Sequence, residues 1–369
     1  MTAPLPLAVL GAGLIGQRHV EMALRSPAVR LSAVVEPAPE LRARLIAAGL
    51  PAVAGIEAVP RDTRAAIIAT PTPDHHASAL AALDRGWAVL VEKPIAATMG
   101  EARALCAAAR AGGLALVTGH HRRCHPFTLA ARDLVARIGA PVAVQALWSL
   151  RKHDRYFDPP WRRAPGAGPV MTNLSHEIDL LRFLLGEIEE VQAMLSHARR
   201  GFAVEDTAAL SLRLANGALG SVAISDAGAS PWSFEAASGE NPGIAASGED
   251  YLRIIGTEGA LAFPSLTFWG AGAEGAIDWR RPLARRDGPR LARVDPIAEQ
   301  IARFAALAGG AADPVLASGA DGAATLEITL ATLLSAETRR PVRRGELAPD
   351  YRGPAPADPP CNTPATGMT

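Results

Sequence analysis

The chain has 369 residues, about half of them apolar, which fits two globular domains with a sizeable core. Acidic and basic residues balance at 37 each, so no basic face for nucleic acid or an anionic membrane is implied. No apolar run reaches the roughly 18 residues a membrane span needs, and three scattered cysteines (Cys106, Cys124, Cys361) make neither a disulfide framework nor a zinc pattern, as expected for the cytoplasm.

In chain order, residues 5–10 form an apolar run that leads directly into GAGLIG, so the N-terminus reads as a first strand rather than a signal peptide. A helix with inward positions at Ile15, His19, Met22 and Ala23 follows. Strands are predicted over 30–36, 65–69, 87–91 and 114–118, with helices over 74–85 and 98–111 between them. Strands alternating with helices imply a parallel, doubly wound sheet over residues 1–120. Beyond residue 140 the texture changes. Residues 141–150, 206–214 and 218–226 alternate as strands, the last two joined by an Ala-Asn-Gly turn. Residues 251–255 and 259–263 repeat that form. Helices over 294–309 and 319–337 close a second, mostly antiparallel α/β domain over 121–347. Residues 348–369 are rich in Pro and lack periodicity, and read as a disordered tail.

Gly11, Gly13 and Gly16 make G-x-G-x-x-G with Leu14 and Ile15 inside the turn. The motif follows a strand, opens a helix, and stands 20 residues before Glu36 at the end of strand two. That is the context a dinucleotide site needs: glycines for close approach, helix N–H groups for the pyrophosphate, a carboxylate for the ribose hydroxyls. A carboxylate repels a 2′-phosphate, so NAD is favoured over NADP, although Arg42 and Arg44 stand nearby.

Of the 37 basic residues only two are lysines, Lys93 and Lys152. Arg cannot release its proton and Lys can, so a lysine in such a chain is a candidate for its amine. Lys93 follows a strand's C-terminal end, where ligands bind in open α/β sheets. If 172–186 is a helix, Leu174, Ile178, Leu181 and Leu185 share the core face, and Thr172, His176, Asp179 and Phe183 share the opposite one. That second face is solvent or cleft, and Phe183 favours a cleft. A position near the helix N-terminus would keep His176 neutral, as a base should be. Lys152, Tyr156, Asp158, Trp161, Arg162 and Arg122 could build a polyol or sugar pocket, or a solvated loop. The spacing of His120, His121, Cys124 and His125 fits no common zinc pattern, so no metal is expected. GENPG at 239–243 reads as a loop at the pocket edge.

GAGLIG, TPTPDHH at 70–76, EKP at 92–94, GHHRRCHP at 119–126 and GAGPVMTNLSHEIDLLRFLLG at 166–186 together resemble the Gfo/Idh/MocA oxidoreductases, from residue 5 to about 345. The resemblance implies a Rossmann domain plus an α/β domain with a large, mostly antiparallel open sheet that builds a homodimer or homotetramer. It implies oxidation or reduction of a secondary alcohol on a cyclitol, sugar or sugar derivative. It makes Lys93 the catalytic lysine, with a bond to Pro94 that is often cis, and His176 the acid/base. Asp179 would bind a substrate hydroxyl, Glu92 would contact the nicotinamide ribose, and Thr70, Pro71 and His75 would line the cofactor's path. Many members carry Asp four residues before the histidine, where this chain has Thr172. Two alternatives stay open: a glycoside hydrolase that uses held NAD for transient oxidation and elimination, and a non-catalytic NAD sensor.

Overall fold

The computed structural model describes residues 3–354 apart from 242, 273, 274, 276 and 293. The N-terminal half runs β1 (Leu5–Leu10), α1 (Leu14–Arg25), β2 (Val29–Val35), α2 (Pro39–Ala47), β3 (Ala52–Val53), β4 (Ala65–Ile68), α3 (Thr72–Leu83), β5 (Ala88–Val91), α4 (Met99–Ala111) and β6 (Leu116–Thr118). Parallel strands covered by helices on both faces are buried throughout, which is why these segments read as continuous apolar runs. Ile67, Ile68, Val89 and Leu90 are fully buried.

The rest of the chain adds α5 (Pro126–Val135), β7 (Pro141–Ser149), α6 (Ser175–Leu185), β8 (Ile188–Ser196), β9 (Thr207–Leu214), β10 (Leu219–Ser225), α7 (Phe234–Ser238), β11 (Leu252–Gly256), β12 (Gly259–Phe263), β13 (Phe268–Gly270), β14 (Ala284–Arg286), α8 (Pro296–Ala308), β15 (Ala317–Ser318), α9 (Gly319–Thr338) and β16 (Val342–Arg343). Among the described residues the second sheet has nine strands in the order β14-β13-β12-β11-β7-β10-β9-β8-β16. Every neighbouring pair is antiparallel except β7 and β10. Burial alternates strictly along β9 and β10, so one face packs inward and the other is open. Leu147, Met194, Leu219 and Ile255, on β7, β8, β10 and β11, are exposed. No described helix is long and apolar enough to cross a membrane.

Two expectations about domain limits need correction. The chain returns to the Rossmann domain after the second sheet. β15 pairs antiparallel with β6, so the first sheet reads β15-β6-β5-β4-β1-β2-β3. Ile297, Ile301 and Phe304 of α8 share a core with Leu7, Val9 and Val20. α9 touches both α4 and β8 and ties the two sheets together. A contiguous second domain over 121–347 is therefore not what forms, because the apolar face of α8 finds its complement on α1. Nor do residues 348–354 behave as a free tail. The Pro349 carbonyl accepts from the Gly100 N–H at 2.7 Å, the Tyr351 hydroxyl donates to Glu337, and Arg352 pairs with Glu101. Residues 355–369, with Cys361, lie outside the described residues.

Candidate active site

The candidate residues stand at the ends of β1, β2 and β5 and at the start of α6. After β1, Gly11 takes φ +92°, a left-handed conformation that suits glycine, and a Cβ there would lie 2.6 Å from the Ala69 carbonyl oxygen. A Cβ on Gly16 would lie 2.0 Å from the Gly11 carbonyl oxygen, so helix and turn touch backbone to backbone. Gly13 differs: nothing lies within 4 Å of its Cβ position. The motif thus has two packing glycines and one that opens onto space. Gly13 is also the N-cap of α1, with no side-chain cap and no acid in the first turn, so the helix's first N–H groups are left for an anion. These features fit a dinucleotide pyrophosphate.

Glu36, buried at the end of β2, accepts from the Ala12 N–H at 3.1 Å and the Ala38 N–H at 2.9 Å. Its carboxylate is therefore fixed against the glycine turn. Arg42 donates to the carbonyls of Glu36 and Pro37. That holds its cation beside the acid. Arg44 is exposed on α2.

Lys93 lies two residues past β5, its bond to Pro94 is cis, and its side chain is half-buried. Its Nζ donates to the Thr172 carbonyl at 2.8 Å. Burial lowers its pKa to about 8. The Arg122 and Lys152 charges act the same way and Glu92 opposes them. The acceptor comes from an unusual backbone. Residues Val170–Leu174 form a π-helical turn ahead of α6, the kind of local widening often found at functional sites. Thr172's hydroxyl faces away, toward the Gly168 carbonyl at 2.8 Å and Asn173 Oδ1 at 2.9 Å. Lys152 reaches the same turn, donating to Asn173 Oδ1 at 3.2 Å.

His176 is the second residue of α6 and is buried, with no hydrogen-bond partner at Nδ1. Its ring packs edge-on to His121 at 5.2 Å and His120 at 5.9 Å. Burial first, then the Lys93 and Arg122 charges, hold its pKa well below 6.5. The imidazole is neutral, as the sequence suggested, but burial is the main cause rather than the helix N-terminus.

A cavity of about 390 Å³ opens beside it, between α1, the turn at His121–Cys124, α7 and the start of α8. His176, Arg122, Ile15, His121, Glu240 and Asn241 are among its walls. The volume lies in the usual range for small-ligand sites. The expected loop at 239–243 is there, with 242 outside the described residues.

Several expected contacts turn out differently. Asp179 does not face the cavity. It is 1 % exposed and accepts from Arg123 Nε at 2.8 Å and Nη2 at 2.7 Å, with Thr325 at 3.3 Å. A buried carboxylate needs a charged partner, and Arg123 supplies it from inside. Phe183, on the same helix, lies under the guanidinium groups of Arg123 and Arg132. Glu92 has both oxygens engaged, one by His19 Nε2 at 2.7 Å and one by the Lys93 N–H at 3.1 Å. Burial works to raise its pKa, and His19 more than offsets that, holding it at about 2. His75 is a brace: its ring nitrogens meet the carbonyls of Pro94 at 2.8 Å and Thr70 at 2.9 Å. It ties the loop after β4 to the loop after β5, and Pro71 caps the helix between. Arg122 lines the cavity, yet its guanidinium is committed to Glu177 and Glu235 and lies over Phe234. Lys152 and Arg162 sandwich Tyr156 at 4.8 and 4.1 Å, and Trp161 is largely exposed beside Arg162. That basic-aromatic layer adjoins the Asn173 turn rather than the cavity wall.

Residues 5–120 match the model of an oxidoreductase family with an NAD-binding Rossmann fold, and residues 128–262 match the GFO/IDH/MocA C-terminal domain. The chain belongs to the Gfo/Idh/MocA family. It is 35 % identical over 145 residues to 1,5-anhydro-D-fructose reductase of Ensifer adhaerens, covering 37 % of this chain and 42 % of that one. It is 34 % identical over 204 residues to inositol 2-dehydrogenase of Streptomyces avermitilis, covering 51 % of this chain and 55 % of that one. The chain thus spans about half the length of the curated relatives it matches. Among solved structures, an oxidoreductase from Agrobacterium radiobacter in complex with NAD+, L-tartaric acid and magnesium superposes with a TM-score of 0.75 at 20 % identity, over 92 % of this chain and 98 % of that one. UDP-N-acetylglucosamine 3-dehydrogenase GnnA from Acidithiobacillus ferrooxidans gives 0.72 at 24 % identity, over 91 % and 99 %. Those likenesses are of fold.

In this Gfo/Idh/MocA chain a main-chain carbonyl holds the lysine where the resemblance leads one to expect a carboxylate. The sequence pointed to Lys93 and His176 but not to their supports. His19, read as an inward helix position, is the partner of Glu92. Arg123 and Asn173 stand inside the quoted motifs and Glu240 in the 239–243 loop, yet nothing local marked what these residues or Glu235 would meet: Arg123, Asn173 and Glu235 find hydrogen-bond partners 21 to 113 residues away in the chain.

Proposed function

We propose that this chain interconverts a secondary alcohol and a ketone on a cyclitol, sugar or sugar derivative, with NAD as the hydride partner. The observation that carries this is a titratable, half-buried Lys93 just past β5, near enough to a neutral, buried, cavity-lining His176 for its charge to depress the imidazole, in a chain with an NAD-binding Rossmann domain. Gly11, Gly13, Leu14, Ile15 and Gly16 would hold the pyrophosphate, Glu36 the adenosine ribose, and Thr70 and Pro71 the path between. Bound NAD would supply a hydride acceptor for the carbinol carbon. Lys93 donates a hydrogen bond to the substrate oxygen and stabilises the negative charge that grows there. His176 takes the hydroxyl proton, which a neutral imidazole can do. The test is NADH formation, followed by absorbance, with NAD or NADP and a panel of cyclitols, aldoses, sugar acids and amino sugars. Turnover of no compound in either direction would overturn the reading.

Cofactor choice should rest on Glu36. Replacing it with serine removes the carboxylate and leaves Arg42 to meet a 2′-phosphate. The kcat/KM ratio of NAD to NADP should fall about 10–100-fold, read from initial rates with each cofactor.

The open face of the second sheet would pair with a second copy. Its exposed apolar side chains and its continuity across nine strands support that. Light scattering should give a mass of two or four chains, and Met194→Lys should lower it.

A further inference from the structure

Three acidic side chains line the cavity, and two of them are fully committed. Glu235 accepts from Arg122 at 2.6 Å through Oε1 and from the Trp148 indole at 2.8 Å through Oε2. Asp295 accepts the Ile297 and Ala298 N–H groups on one oxygen and Arg18 on the other. Glu240 is different. Its side chain is 7 % exposed, and its Oε2 is buried with no hydrogen-bond donor among the described residues. The nearest ring nitrogen is His121 Nε2, 3.7 Å away, too far for a good hydrogen bond but close enough to orient the carboxylate. His121 in turn packs against His176. The cationic side chains on the walls are already neutralised: Arg122 by Glu177 and Glu235, Arg18 by Glu21 and Asp295.

A buried carboxylate oxygen without a donor is costly, and a donor from a bound molecule relieves that cost. An anionic group brought to the same place would face an acid beside arginines whose charges are already matched, with the Arg122 Nε–H their one unpaired buried donor among the described residues. Taking the cavity as the substrate site proposed above, we infer that Glu240, oriented by His121, is a recognition subsite for a hydroxyl or amino substituent of the substrate. The cavity then takes neutral or amino-substituted polyols and sugars, and turns away sugar acids. Burial works to raise the Glu240 pKa, and the His121 side chain beside it, with Arg122 and His125 farther off, more than offsets that, so the acceptor form prevails near neutrality.

The experiment measures turnover and, by calorimetry, binding to the NADH-loaded enzyme, for neutral, amino and uronic-acid forms of the same sugars and cyclitols. Wild type should prefer the neutral or amino form over the acid by at least about tenfold. Glu240→Ala should weaken binding of the preferred compound, and raise its KM, by about 10–100-fold, the worth of one hydrogen bond to a charged group. Its kcat and NADH affinity should stay close to wild type. Glu240→Gln should narrow the neutral-over-acid preference. A wild type that favours the acid, or a Glu240→Ala enzyme with unchanged KM and binding, overturns the subsite. Binding that depends on Glu240 without any hydride transfer would keep the subsite and overturn the dehydrogenase reading. Turnover that ignores Glu240 would do the reverse. The wild-type preference needs no variant, so a variant that fails to fold does not rescue the idea.

Discussion

Replacing Lys93 with alanine is expected to lower kcat/KM by about three orders of magnitude while leaving NAD affinity nearly unchanged. In the proposed mechanism the ammonium stands where the substrate oxygen gains charge, and a positioned donor in a water-poor site is worth far more than one in bulk water. Its side chain's only hydrogen bond among the described residues is to the Thr172 carbonyl, so removing it strands no buried charge and the fold should persist. Lys93→Arg should not rescue, because the planar guanidinium cannot take the place of a compact ammonium and does not titrate. The pH profile separates this role from a structural one. Lys93 has a pKa of about 8, and the protonated form is the donor. The rate should therefore be level through neutrality and fall about tenfold per pH unit above about 8. His176 titrates well below 6.5, so no acid limb should appear near pH 7. Initial rates across pH, with NAD saturating, check both limbs. A profile that rises through pH 8 would mean that the neutral amine is the working form.

Asp179→Ala should cost about 3–5 kcal/mol of stability, measured by urea unfolding, the largest loss expected from any single change described. The carboxylate is buried and grips Arg123 through two hydrogen bonds. Deleting it leaves a guanidinium that is itself 5 % exposed, with Asp321 at 3.4 Å the only remaining carboxylate to answer it among the described residues. Losing half of a buried pair is worse than never having had one, because desolvation of the survivor goes uncompensated. Had Asp179 been a substrate ligand, the variant would fold normally and show only a raised KM. The pH dependence has a definite sign. Burial raises the Asp179 carboxyl, and the His120 and Arg123 charges more than offset it, so the folded pKa lies below 3.8. The pair's contribution is present above the unfolded carboxylate pKa and disappears as pH falls through the lower, folded value. Wild type and Asp179→Ala should thus converge in stability only in strong acid.

The local features written in consecutive residues were legible from the sequence. The glycine turn, Glu36 at the end of β2, and Lys93 past β5 each follow from strand-to-turn chemistry within about 20 residues. The alternation along 206–226 predicted the β9–β10 hairpin for the same reason: a period-2 pattern and an Asn-Gly turn are local facts. Nothing local distinguishes a carboxylate that faces a ligand from one that faces an arginine. Asp179 and Glu240 are both acids beside a predicted pocket. Only the packed chain puts Arg123 against the first and leaves the second with a buried oxygen that no described donor meets. The same holds for Thr172, whose side chain looked like the informative part until a π-helical turn offered its carbonyl to Lys93. It holds again for α8 and β15, which leave the second sheet to complete the first. Hydrophobic periodicity says that a face will be buried, but its partner is chosen by which complementary face lies free once everything else has packed. The sequence by itself thus determined the nucleotide turn and the two sheets and singled out Lys93 and His176 as candidates; tertiary packing decided which polar groups are answered from within and which are left to meet a ligand.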